Sequence, residues 1–339
     1  MTIRTSKSIL VVIVNYRTAD LVTDCLRSLE AEVDSLPGIQ VVVVDNASGD
    51  GSVDRLVAAI VENLWEGWAS ILPVERNGGF AAGNNAAIQP ALEAAAPPDY
   101  VLLLNPDTVV HGGALRTLYD FMEAKPEVGI AGSRLEDPDG TPQRSAFRFP
   151  SVLGEIENGL RFGVVTKLLH RWVVAPPVPE VACRTDWVSG ACLLVRREVF
   201  DAVGLLDADY FMYYEEVDFC KRAAQAGWPC WFVPEARVVH LVGQSTRVET
   251  GVVARKRQPT YWFASRRRYF QTYLGKYATW LTDLAWASSF ASYRVRRVVQ
   301  RKPDTDPFGL LGDFVRHNLL RSCRSHRVIR PSAASETAS

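Results

Sequence analysis

Four short apolar runs recur through the first 110 residues of this chain, and they constrain its fold more than any other feature. They are Ile9-Leu10-Val11-Val12-Ile13-Val14, Val41-Val42-Val43-Val44, Ile71-Leu72-Pro73-Val74 and Tyr100 to Leu104. The runs at 9–14, 41–44 and 100–104 read as strands buried on both faces, which is the mark of a parallel sheet, and 71–74 reads as a short strand. Between them lie segments of helical spacing. Residues 19–31 place Leu21, Val22, Cys25, Leu26 and Leu29 on one face, a second helix is predicted over 52–64, and a third runs from about Ala81 to Ala95 before Pro97-Pro98 stops it. Strand and helix alternate, so an α/β fold follows, with a mostly parallel central sheet flanked by helices. Such sheets bind ligands beyond the carboxyl ends of their strands. The polar clusters at 15–18, 45–50 and 105–107 fall there.

After Asp107 the pattern loosens. A helix near 112–124 leads to an apolar stretch at Val128–Ala131 and a turn at Asp137-Pro138-Asp139-Gly140. Residues 150–183, with Pro176-Pro177 and Pro179, read as irregular, an insertion or acceptor-facing flap. A strand is expected over Asp186–Arg196, helices over Glu198–Val203 and 213–226, and short strands at Trp231–Val233 and Arg237–His240. From about 258 the chain reads as basic, aromatic-rich helices. The expected organisation is a domain over 1–250, a helical extension over 251–329 and a disordered tail over 330–339.

Net charge is zero, but it is unevenly spread: residues 251–330 hold 17 Lys and Arg against four Asp. A basic back half suits an anionic partner. Arg255-Lys256-Arg257, Arg266-Arg267-Arg268, Arg294, Arg296 and Arg297 alternate with Trp262, Tyr269, Phe270, Tyr273, Tyr277, Trp280 and Trp286. That pattern suits peripheral contact with the inner membrane face through 255–302. It suits equally a buried helical bundle or a homodimer interface, and no nucleic-acid partner is expected. Six cysteines show no CxxC pairing and read as reduced thiols of a cytoplasmic protein. The run at 9–14 is too short for a signal core, and no stretch approaches the ~20 apolar residues of a spanning helix.

Several residues carry chemistry. Asp45 can accept hydrogen bonds from a base or ribose, and Asp107 can hold a divalent cation on a diphosphate; each reads as well as a helix N-cap. Arg76-Asn77-Gly78-Gly79-Phe80-Ala81-Ala82-Gly83-Asn84-Asn85 combines glycines that admit close approach with a helix N-terminus that favours anions. It lacks the GxGxxG spacing of dehydrogenase folds. Glu215, Glu216 and Asp218 crowd one helix start. One of them can act as a general base, or all three can serve the helix dipole. His240 ends a strand and reads as a metal ligand or a structural histidine.

Val14-Asn15-Tyr16, Val44-Asp45-Asn46-Ala47-Ser48-Gly49-Asp50, the Asn77–Asn85 block, Asn105-Pro106-Asp107, Ser189-Gly190-Ala191 and Glu215-Glu216-Val217-Asp218 together resemble family 2 glycosyltransferases of the GT-A fold. Within that family they are similar to the bacterial rhamnosyltransferase-like subgroup. The resemblance covers roughly residues 8–275. It implies an inverting transfer of a sugar from a dTDP- or UDP-sugar, with L-rhamnose from dTDP-rhamnose the expected donor, to a glycan or lipid-linked acceptor of the cell envelope. It places Asn15, Tyr16, Asp45, Asn46, Arg76, Asn77, Gly78, Gly79, Asn84 and Asn105 around the nucleotide sugar. It gives Mg²⁺ or Mn²⁺ to Asp107 and His240, with Asn105 standing where the family's first metal-motif acid stands. Glu216 matches the catalytic base, with Asp218 in reserve, and Trp187, Ser189, Gly190 and Glu215 face the acceptor. A sugar-phosphate nucleotidylyltransferase lacks support, because Asn15-Tyr16-Arg17-Thr18 has no glycine. A non-catalytic nucleotide-binding scaffold would not need the acidic cluster.

Overall fold

The computed structural model describes residues 7–36, 38–241 and 256–320. In chain order the elements are β1 (Ile9–Asn15), α1 (Ala19–Ser35), β2 (Ile39–Asp45), α2 (Ser52–Glu62), β3 (Ala69–Pro73), α3 (Gly79–Leu92), β4 (Tyr100–Leu104), β5 (Thr108–Val110) and α4 (Ala114–Ala124). Then follow β6 (Ile130–Glu136), β7 (Ala146–Phe147), α5 (Val152–Leu160), α6 (Gly163–Leu168), β8 (Cys183–Thr185), β9 (Trp187–Val188), β10 (Cys192–Arg196) and α7 (Arg197–Val203). The last are α8 (Glu215–Gln225), β11 (Cys230–His240), α9 (Thr260–Val299) and α10 (Leu310–Phe314).

The chain divides into two compact units. The first spans 1–147, 175–208 and 216–251 and holds every described strand. Its main sheet runs β3-β2-β1-β4-β10-β6-β11-β5, with β8 on β11. The four strands from β3 to β4 are parallel, and β10 inserts antiparallel between β4 and β6. β1 and β4 are buried along their whole length, as the unbroken apolar runs predict. α1 and α4 pack Val22, Leu26, Leu29, Leu115 and Leu118 into the same core.

One polar group is built into that core. The buried Glu32 carboxylate of α1 accepts the backbone N–H groups of Gly113, Leu115 and Arg116 in the first turn of α4. These donors have no partner within the helix, so α1 caps α4. Nothing in the periodicity of α1 predicts this, because Glu32 falls on the apolar face.

The second unit spans 148–174, 209–215 and 252–339, so two pieces of chain before residue 250 belong with the C-terminal helices. Residues 150–183 are not irregular throughout: α5 and α6 lie within them. Ser151 caps α5 by accepting from Gly154 N, and Arg161, left-handed at φ 45°, ends it where a glycine would be the usual signal. Its buried face is Gly154, Glu155 and Gly159 rather than large apolar residues, so hydrophobic spacing could not reveal it. Two other strand readings also change. The stretch over Asp186–Arg196 is two strands split by a turn at 189–191, and the two segments at 231–240 are one strand with a register shift between Val233 and Arg237.

In the second unit α9 bends at Gly275, whose φ of 76° favours glycine. Phe263, Trp286, Phe290 and Phe314 form its core. Two arginines of the triplet do not line a surface. Arg266 is buried between the carboxylates of Glu155 and Asp283 and stacks on Phe270 and Phe314. Arg267 is buried beside Asp283, and Arg268 pairs with Asp209. The stretch 330–339 and Arg255 lie outside the described residues. No described helix is long and apolar enough to cross a membrane, and the five described cysteines are unpaired thiols.

Candidate functional site

The carboxyl ends of β1, β2 and β4 converge as the alternation predicts. Asn15 and Asp45 are register partners in the parallel pair β1/β2. Asn15 Nδ2 donates to Asp45 Oδ1 at 2.7 Å, and Ser48 donates to the same carboxylate through Oγ at 2.6 Å and N at 3.1 Å. Asn15 Oδ1 in turn accepts from Thr18 N and Oγ1. Both side chains are buried, and much of their hydrogen-bonding capacity holds the 45–48 loop in place. Arg17 and Ala47 each take a left-handed φ of 58° as the chain leaves its strand. Tyr16 and Arg76 lie nearer the surface, with Arg76 exposed.

Asn46 reaches across to the glycine turn. It accepts from Gly78 N at 3.2 Å and donates to Gly79 O at 3.0 Å, while Asn77 Oδ1 accepts from Gly79 N. Gly79 needs its left-handed φ of 86°. A Cβ on Gly83 would lie 2.8 Å from Val14, so that glycine brings α3 against β1. Asn84 donates to Phe80 O, and its buried Oδ1 has no hydrogen-bond partner.

Asp107 and His240 meet because β5 and β11 pair antiparallel, with His240 opposite Thr108. Leu241 N extends that ladder to Asp107 O at 2.8 Å. His240 Nε2 lies 3.5 Å from Asp107 Oδ1 and 3.4 Å from Asn105 Nδ2. Asp107 Oδ1 is buried and lacks a hydrogen-bond donor among the described residues. Gln143 stands behind the histidine: its Oε1 lies 3.2 Å from His240 Nδ1, and its Nε2 donates to His240 O. An Nδ1–H donated to Gln143 leaves the Nε2 lone pair facing Asp107. Sequence reasoning missed Gln143, because the 137–140 turn returns it to the end of β11. No group of three or more His, Cys, Asp or Glu able to hold a metal exists among the described residues. A two-residue protein set fits a hard cation that takes its other ligands from water and phosphate oxygens.

Glu216 stands on the first turn of α8. Tyr213 and Tyr214, with φ of 69° and 70°, lead into that turn. Two successive left-handed non-glycine residues cost about 1–3 kcal/mol each, and backbone strain of this kind concentrates at working sites. Glu216 Oε2 is buried without a hydrogen-bond partner among the described residues. Burial pushes its carboxyl up from 4.5 to about 7, against the pull of the Glu216 and Val217 backbone N–H groups. Gly190 lies against it: a Cβ there would be 3.7 Å from Glu216 Cβ and 3.5 Å from Phe80. Ala191 O accepts from Asn105 N at 3.0 Å, so the Ser189–Ala191 turn joins the base candidate to the end of β4. Trp187 stacks on Phe147 at 4.1 Å. Glu215 is buried at the start of the helix.

Asp218 sits differently. It is buried in a 2.8 Å pair with Arg222, which also donates to Val203 O and Leu205 O. Asn85 holds the neighbouring Leu206 through both amide atoms. Asp218 therefore anchors the loop after α7, and Arg222 is a supporting residue that the sequence reading passed over.

Residues 6–275 match the family model described as glycosyltransferase like family 2. N-acetylglucosaminyl-diphospho-decaprenol L-rhamnosyltransferase of Mycobacterium tuberculosis is 32% identical over 241 residues, which cover 68% of this chain and 75% of that protein. Rhamnosyltransferase WbbL of Escherichia coli is 30% identical over 176 residues, covering 50% of this chain and 63% of its own. Among solved structures, the mannosyltransferase PcManGT from Pyrobaculum calidifontis, in complex with GDP-Man and Mn²⁺, superposes with a TM-score of 0.52 at 15% identity, over 87% of this chain and 76% of its own. GalNAc-T7 with UDP, GalNAc and Mn²⁺ gives a TM-score of 0.55 at 16% identity, over 94% and 59%.

Proposed function

The chain belongs to glycosyltransferase like family 2, and from that premise we propose that it moves L-rhamnose from dTDP-rhamnose onto a hydroxyl of a lipid-linked or polysaccharide acceptor, with inversion at the anomeric carbon. It is a glycosyltransferase of GT-A fold. Rhamnose is favoured because relatives named for rhamnosyl transfer recur among the similar proteins. A lipid-linked acceptor is favoured by the name of the mycobacterial relative, and cell-envelope synthesis at the cytoplasmic face of the membrane follows from it.

The observation that carries the catalytic reading is Glu216, a half-buried residue whose buried Oε2 has no hydrogen-bond partner among the described residues and whose carboxyl is pushed up to about 7. A base so tuned is half ionised near pH 7 and takes the acceptor proton as the acceptor oxygen attacks the anomeric carbon. Inversion then follows from a single displacement. Gly190 and Phe80 bound the space beside the base, and Trp187, stacked on Phe147, would serve the acceptor side. The Asn46-clamped turn at Gly78-Gly79 opens α3, and the positive N-terminal end of that helix favours the donor's phosphates. Asp107 and His240 would hold Mg²⁺ or Mn²⁺, and the orphaned Asp107 Oδ1 with a neighbouring imidazole lone pair fits such an ion. When bound, the cation neutralises charge on the departing nucleoside diphosphate.

The deciding experiment is a donor screen that follows nucleoside diphosphate release with and without EDTA. Release from dTDP-rhamnose alone, abolished by EDTA, is the expected outcome. Preference for another sugar removes the rhamnose reading, and turnover indifferent to chelation removes the metal.

A further inference from the structure

The second unit carries a surface that sugar transfer does not explain. Beyond the bend at Gly275, α9 runs about 35 Å to Val299. Its inner face buries Trp286, Phe290 and Arg297. Its outer face is also apolar. Tyr277 is 91% exposed, Leu281 59%, Leu284 40%, Val295 and Val298 66%, and Val299 77%. At 100° per residue these positions fall within one stripe about 120° wide, together with Trp280, Ser288, Ala291 and Ser292. No charged residue falls inside the stripe. A helix apolar on both faces is normally covered on both.

Charge selects what covers it. Lys276 at one end, and Arg301 and Lys302 just past the other, are exposed and have no carboxylate partner among the described residues. The acids nearby are turned inward. Asp283 is fully buried against Arg266, Asp304 pairs with Arg294, and Asp306 pairs with Arg161. In a coiled coil with a second copy, opposite charges beside the seam favour the pairing, and this seam has only basic ones. An anionic surface with an apolar interior meets both requirements, and Tyr277 and Trp280 are the side chains that settle at such a boundary.

We infer that the outer stripe of α9, from Tyr277 to Val299 and bracketed by Lys276, Arg301 and Lys302, docks the protein onto a bilayer of anionic phospholipid. The docking gives the lipid-linked acceptor reading its physical basis, and it rests on that reading only for the choice of membrane. The buried Arg266 and Arg267, and Arg268 in its pair with Asp209, have no part in it.

The test uses the full chain and vesicles of phosphatidylcholine with or without phosphatidylglycerol. Wild type should co-sediment with the phosphatidylglycerol vesicles, and added salt should weaken it. Tyr277→Ser/Leu281→Ser/Leu284→Ser/Val295→Ser should bind about tenfold more weakly with unchanged thermal melting, because all four side chains face outward. Lys276→Glu/Arg301→Glu/Lys302→Glu should lose only the preference for phosphatidylglycerol. Wild type that stays in the supernatant, or a quadruple variant that binds as wild type does, overturns the inference. So does a dimer by light scattering that the quadruple variant dissociates, since a second copy then occupies the stripe. Nucleotide release from a donor sugar is measured in parallel. Vesicle binding without donor turnover defeats the proposed reaction and leaves the docking surface standing; turnover without vesicle binding does the reverse.

Discussion

Replacing Glu216 with Gln tests the site through two independent quantities. Moving a carboxyl from 4.5 to about 7 by burial corresponds to at most about 3 kcal/mol between its protonation states. The folded pKa lies above the unfolded one. The carboxyl's contribution to stability is therefore whole below about pH 4.5 and is lost as pH rises through about 7. Gln is neutral throughout. The melting temperature of Glu216→Gln relative to wild type should rise between pH 5 and pH 8, by on the order of 5 °C for a few kcal/mol in a chain of this size. Catalysis should move the opposite way. As the base, Glu216 must be ionised, so wild-type kcat should fall about tenfold per pH unit below about 7. Glu216→Gln should lose about 10²–10⁴ in transfer while donor affinity, read by calorimetry, stays within about twofold. An acid limb with a midpoint below pH 5.5, or full transfer by the variant, refutes the assignment. A melting difference that does not change with pH refutes the desolvation that underlies it.

Other outcomes follow from single contacts. His240→Ala should abolish tight Mn²⁺ binding as read by electron paramagnetic resonance. Gln143→Leu, which frees the histidine tautomer, should weaken it about 10–100-fold; equal affinity in Gln143→Leu would remove that residue from the site. Glu32→Ala removes the acceptor of three backbone donors at the start of α4, of which that of Leu115 is buried, and should cost about 1–3 kcal/mol in urea unfolding, with donor affinity unchanged. Gly83→Ala sets a methyl 2.8 Å from the stiff Val14 side chain and should destabilise by about 1–2 kcal/mol. Val14→Ala should suppress that penalty in the double variant, and additive losses would show that the two do not clash. Arg222→Met should release the loop after α7 and lower the melting temperature, leaving the pH profile of kcat in place; a shifted profile would make Arg222 part of the base's own environment.

Local pattern determined a large share of this molecule. Unbroken β-branched runs can be buried only in the middle of a sheet, so β1, β2 and β4 were legible from their residues, and with them the convergence of Asn15, Asp45 and Asp107 beyond the strand ends. Strand pairing over long separations was not legible. β10 enters between β4 and β6 from nearly 60 residues beyond β6, and β5 is too short to announce itself. That pairing is what carries His240 to Asp107 and Gln143 to His240. α5 was hidden because it buries glycines and a carboxylate, and the choice between a membrane face and a buried bundle for the arginine triplet stayed open because Glu155, 111 residues away in the chain from Arg266, is the residue that pairs with it. Composition recorded a basic, aromatic C-terminal region but could not say which cations are spent inside. The sequence alone thus determined the parallel strands, the nucleotide-side loops and the acidic turn, because each is set by spacing within one segment. Tertiary structure decided which carboxylate is left buried and unpartnered, which histidine nitrogen faces the metal position and which face of α9 stays bare. Those properties depend on neighbours that arrive from distant parts of the chain.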